Sequence, residues 1–87
     1  MKKLVQVEEV AGEGLIGLLG QKVMIWCMNF NYHGVLEGVN DHDILLSGAQ
    51  IVFETGPLGG PIKDGQPLPS PLYVRMSAIE SYCAYEG

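Results

Sequence analysis

Asn40-Asp41-His42-Asp43 sets an amide, two carboxylates and an imidazole in four consecutive residues. Such a run supplies acceptors, one donor-acceptor amide and a flat ring able to stack, gathered at a polar break between two apolar segments. The same residues have a plainer use. Asn and Asp bond their own backbone and take turn geometry, so the run also reads as a well-made hairpin with His42 as a solvated loop histidine. Cations are scarce around it. Acidic residues number 10 and basic residues 5, for a formal charge of −5, and Lys2 and Lys3 stand at the N-terminus. Only Lys22, Lys63 and Arg75 are left in the body of the chain to meet an anion. A broad positive footprint of the kind that neutralises many phosphates is absent, so recognition falls to local chemistry.

Catalysis finds little support. A nucleophile with its base, paired carboxylates in a cleft or a metal cluster would each need a spacing that His33, His42, Cys27 and Cys83 do not show. The chain therefore reads as a non-enzyme with no cofactor, no metal and no small-molecule substrate. Cys27 and Cys83 lack the paired spacing of a zinc knuckle or redox motif, which suggests free thiols in a reducing compartment; a disulfide between them is the alternative. No stretch looks like a secretory leader, and no apolar run approaches the roughly 20 residues of a membrane span. The expectation is a soluble cytoplasmic protein without a membrane partner.

The elements that must position these residues follow from size and periodicity. With 87 residues there is one domain, too small for a cleft between lobes. Apolar residues make up 47% of the chain and charged residues 17%, so part of the apolar supply should be buried between subunits. Residues 1–13 are expected to be an N-terminal arm or an extra strand, because Val5 and Val7 alternate with Gln6 and Glu8. Leu15, Ile16, Leu18 and Leu19 crowd into a short helix that Gly20 can stop. From Lys22 to Met28 one strand face carries Val23, Ile25 and Cys27, and the other carries Met24, Trp26 and Met28. Both faces are apolar, so the second requires a cover from the helix, the arm or a partner. Asn29 and Asn31 turn the chain into a strand from Tyr32 to Val39, where Gly34 and Gly38 permit bending. A long strand runs from Ile44 to about Glu54. Residues 55–71, rich in Pro and Gly, read as an extended surface loop unable to sustain a ladder. Leu72 to Arg75 and Ile79 to Tyr85 complete the sheet.

Two stretches then resemble a known family. Tyr32-His33-Gly34-Val35-Leu36-Glu37-Gly38-Val39-Asn40-Asp41-His42-Asp43-Ile44-Leu45-Leu46 is similar to the first signature of the Sm and Sm-like proteins, RNA-associated ring proteins that include the Hfq type. Tyr73-Val74-Arg75-Met76-Ser77-Ala78-Ile79-Glu80-Ser81 resembles their second signature, and Leu19 to Ile25 their passage from helix into first strand. The resemblance covers about residues 14 to 85. It implies a mainly β, Sm-like fold: a short helix, then a five-stranded, strongly bent, SH3-like open antiparallel barrel, with the Pro and Gly loop between strands three and four.

Further implications concern assembly and ligand. In that family the last two strands of neighbouring subunits pair edge to edge, which implies a homo-oligomeric ring of five to eight subunits, with Tyr73, Val74, Ile79 and Tyr82 at the interface. Family members hold single-stranded, often uridine-rich RNA at the inner rim. The matching positions are Asn40, His42, Asp43 and Arg75, where His42 could stack on a base, Asn40 or Asp43 could bond its edge, and Arg75 could stack or meet a phosphate. Asn40 stands where the family usually has aspartate and Asp43 where it usually has asparagine, so an amide's donor has become an acceptor. An acidic ring that assembles proteins without RNA is the other reading.

Overall fold

The structure, a computed structural model, describes residues 14–87. The expected N-terminal arm lies outside the described residues. A short helix α1 (Gly14–Gly17) precedes six strands: β1 (Lys22–Cys27), β2 (Asn31–Val39), β3 (Asp43–Glu54), β4 (Asp64–Pro67), β5 (Leu72–Arg75) and β6 (Ile79–Ala84). A 3₁₀ turn, Met76–Ala78, joins the last two. The strands form one open antiparallel sheet in the order β4-β3-β2-β1-β6, with β5 also paired to β3.

Only a curled sheet satisfies this connectivity. Three residues separate β5 from β6, yet β5 pairs β3 and β6 pairs β1, on opposite sides of β2. The bending is visible in the ladder between β2 and β3, whose register shifts between His33 and Val35 and again between Leu36 and Gly38. Those shifts bracket Gly34 and reach Gly38, the two positions expected to mark curvature. A Cβ on Gly34 would lie 3.0 Å from the Ser47 carbonyl oxygen and 3.1 Å from the Ala49 Cα, so a side chain there would push the strands apart by a few tenths of an ångström.

Among the described residues the sheet has six strands where five were expected. The additional one, β4, lies inside the Pro and Gly segment, which corrects the view that this composition excludes a ladder. Gln50, Ile51, Val52 and Glu54 of β3 pair with Pro67, Gln66, Gly65 and Asp64. An edge strand needs partners on one side only, and Pro67, at the strand's end, is tolerated for that reason. All four β4 residues are exposed, so burial leaves no periodic trace in their types. The helix is a single turn. It ends at Gly17, and the chain continues as turns to Gly20, whose φ of 84° is a left-handed value and whose N–H donates to the Leu36 carbonyl at 2.7 Å.

Two apolar clusters flank β1. Inside the curl, Val23, Ile25, Leu36, Ile44, Leu46, Ala49 and Val74 pack with Leu15 of the helix. On the outer side, Met24, Val52 and Tyr85 form a second cluster with Trp26, Ile62 and Cys83 against it. Val23, Met24 and Ile25 are all fully buried, each burial stabilising by roughly 1.5–3 kcal/mol. Among the described residues, Tyr85 and Ile62 pack on the Met24 and Trp26 side of β1, while the helix serves the inner cluster. Tyr85 is fastened twice. His33 Nε2 donates to its carbonyl at 2.7 Å, and the Gly59 N–H donates to its hydroxyl at 3.3 Å. Cys27 and Cys83 are free, half-buried thiols. Among the described residues no helix is long and apolar enough to cross a membrane.

Candidate functional site

The hairpin between β2 and β3 is built by Asn40. Its Oδ1 accepts from the His42 N–H at 2.7 Å and the Asp43 N–H at 2.8 Å, and its own N–H donates to the Asp43 carbonyl at 3.0 Å. Two donors that a turn would otherwise leave open are thereby satisfied. The corner between β5 and β6 is tied to the same hairpin, because the Met76 N–H donates to the His42 carbonyl at 2.7 Å. Asp43 and Arg75 are register partners on β3 and β5, which puts their side chains on one face.

Between hairpin and corner lies a concavity of about 410 Å³ lined by Asp41, His42, Asp43, Arg75, Met76 and Ser77. Three of the four expected base-binding residues therefore meet at one place. Asn40 does not line it; that residue borders a separate hollow of about 240 Å³ beside Leu45 and Tyr73, and its amide oxygen is engaged in the turn. Ser77 was missed as a lining residue, since nothing but its nearness to Arg75 in sequence connects it with the hairpin. Met76 also packs against the inner cluster, which fixes the floor of the concavity.

Arg75 is exposed and has no carboxylate partner among the described residues, where the sole ion pair joins Lys63 to Glu54 at 3.6 Å. Arg75 and Glu80 do not form an ion pair. Among the described residues no three His, Cys, Asp or Glu side chains converge in a manner suited to a metal ion.

The four expected interface residues divide into two kinds. Tyr73 and Tyr82 are 65% and 39% exposed, on strands that each have a single ladder partner among the described residues. Val74 is a core residue opposite Ile44, and Ile79 is half-buried against the inner cluster. Neighbours on β5 point to opposite faces, so Tyr73 outward places Val74 inward. A groove of about 310 Å³ runs beside β5, lined in part by Met28, Phe30, Tyr32, Leu72 and Tyr73. Met28 and Phe30 are 80% and 52% exposed; Met28, expected on the second apolar face of the first strand, lies just beyond the end of β1. Cys27 borders this groove. Burial, and secondarily the charge of Glu80, push its thiol above the ordinary value of 9.0.

No protein-family model matches this chain, and no curated protein matches it.

Proposed function

We propose that this chain is an Sm-like subunit, its sheet an SH3-like open barrel, that closes into a homo-oligomeric ring and holds single-stranded RNA at the ring's inner rim. The observation that carries the reading is the meeting of His42, Asp43 and Arg75, from the hairpin and β5, around one concavity. An imidazole to stack, a carboxylate to read a base edge and a guanidinium for a base or phosphate are the parts such a site needs. Ring closure is supported by the edges. β5 and β6 each lack a second ladder partner among the described residues, and Tyr73 and Tyr82 add apolar surface there. Pairing β5 of one subunit with β6 of the next would repeat around a closed ring and leave neither edge bare.

Light scattering after size exclusion tests the ring first, and a monomer over a wide concentration range overturns the reading. Fluorescence anisotropy with oligo-uridine and oligo-adenosine at low salt then tests the ligand. Arg75→Ala is expected to abolish RNA binding while the ring persists; a dispersed ring would make Arg75 structural. A second reading, an acidic ring that scaffolds other proteins, is favoured by one observation. Asp41 lines the same concavity as Arg75, so each subunit would add negative charge where phosphates would pass. An intact ring that binds neither oligomer leaves that reading standing alone.

A further inference from the structure

We propose that the concavity between the β2–β3 hairpin and the β5–β6 corner selects an unpaired guanine base. The inference rests on the RNA reading above and names the base that the site would take.

The reading groups are narrowed by what the turn consumes. Asn40 has its amide oxygen bound to two backbone N–H groups and lies outside the concavity. The polar side chains left to line it are two carboxylates, an imidazole, a guanidinium and a hydroxyl, on Asp41, Asp43, His42, Arg75 and Ser77. An ionised carboxylate accepts and never donates. It therefore requires a base whose edge offers donors.

The four bases differ sharply in this respect. Uracil has a single N3–H between two carbonyl oxygens, whose lone pairs would face the carboxylate. Adenine and cytosine each set one amino group beside an acceptor ring nitrogen. Guanine alone has two adjacent donors on its Watson–Crick edge, N1–H and the N2 amino group, with the O6 acceptor next in line. A carboxylate meets the two donors with its two oxygens, as it does the parallel donors of a guanidinium.

Asp43 is the carboxylate best placed for this. Its backbone N–H is held by Asn40 at 2.8 Å, and it stands directly across from Arg75 in the ladder. Cross-strand partners have Cβ atoms about 5 Å apart, yet no ion pair closes between these two. Acceptor and donor therefore sit side by side with neither consumed by the other. Carboxylate oxygens on N1–H and N2–H, with the guanidinium on O6, reproduce the order of polar groups along the guanine edge. His42 has its N–H bonded to Asn40 and its carbonyl bonded to Met76, both at 2.7 Å, so the backbone carrying the stacking ring is preset. Two carboxylates against one guanidinium also favour a neutral base over a phosphate in this hollow.

The test uses the full chain in its native assembly at low salt, with short single-stranded RNAs of uridine carrying one central guanine, inosine, adenine, cytosine or uridine. Anisotropy should give at least about tenfold tighter binding to the guanine strand, the discrimination expected of one good bidentate pair. Inosine lacks the N2 amino group and should bind like the others. Asp43→Asn turns one acceptor into a donor and should bring guanine and uridine to parity, with circular dichroism and light scattering unchanged. Titration with guanosine monophosphate separates the sources: binding as tight as the guanine strand would make a free nucleotide the ligand, and much weaker binding makes it an RNA strand. Equal binding of guanine and inosine, or a preference for uridine, overturns this inference and leaves the RNA reading intact. Binding of no strand overturns both. Should Asp43→Asn disperse the assembly, the inosine comparison on the unaltered chain still decides.

Discussion

Tyr85→Ala should cost far more stability than Tyr85→Phe, and the gap between them measures how the outer apolar cluster is held. Tyr85 is 8% exposed and packs with Met24 and Val52, with Trp26, Ile62 and Cys83 around them. Deleting a buried aromatic ring costs roughly 3–5 kcal/mol through lost transfer energy and the cavity left behind. Phenylalanine keeps the ring and loses only the hydroxyl, which accepts one long hydrogen bond of 3.3 Å from a loop N–H. That loss is about 0.5–1 kcal/mol. A chain of this size has a total stability on the order of 4–13 kcal/mol, so Tyr85→Ala removes a large fraction of it and Tyr85→Phe a small one. The assay is urea unfolding at fixed protein concentration, followed by fluorescence of Trp26, the chain's one tryptophan and a member of the same cluster. A cost below about 1 kcal/mol for Tyr85→Ala, or equal costs for the two variants, would refute the assignment of Tyr85 as the cover of β1.

Three more outcomes follow from the geometry. Asn40→Ala leaves the His42 and Asp43 N–H groups without their acceptor and should destabilise by about 1–2 kcal/mol, measured by the same unfolding curve. Gly34→Ala puts a methyl group 3.0–3.1 Å from backbone atoms, so a loss of roughly 1–3 kcal/mol is expected, read as a fall in melting temperature. Cys27 holds its proton more firmly folded than unfolded, so stability from this group is complete below 9.0 and declines as the pH rises through the higher folded value. Its alkylation by iodoacetamide should be slow at neutral pH, and Glu80→Gln should shift the rate profile toward lower pH, with no shift arguing against the Glu80 contribution.

The order of elements was legible because it rests on apolar alternation and turn residues. Leu72–Arg75 is bounded in the structure as it was in the sequence, and Gly34 and Gly38 fall where the ladder slips. What escaped had a common cause. β4 is exposed along its whole length, so no side chain there records a buried face, and its pairing is carried by backbone alone. The double-sided burial of β1 was evident from Met24 and Trp26, but the identity of the cover was not. Tyr85 and Ile62 reach it from distant chain positions, one through a hydrogen bond from His33 that no local pattern announces. At the candidate site, residue types pointed to the hairpin and to Arg75 together. Which side chains remain unengaged depended on Asn40 folding its oxygen back onto the turn, a detail of geometry.

The pairing of β1 with β6 has a consequence for how such a polypeptide can be made. Val23 is matched with Ala84, far along the chain. During vectorial synthesis β1 and β2 leave the ribosome well before β6 and Tyr85. Until then one flank of β1 carries unpaired N–H and C=O groups beside Val23, Met24 and Ile25, the kind of template that recruits strands from other nascent chains. A message broken between the codons for β2 and β6 would therefore yield a sticky fragment, and crowded polysomes would be the place to look for its aggregates.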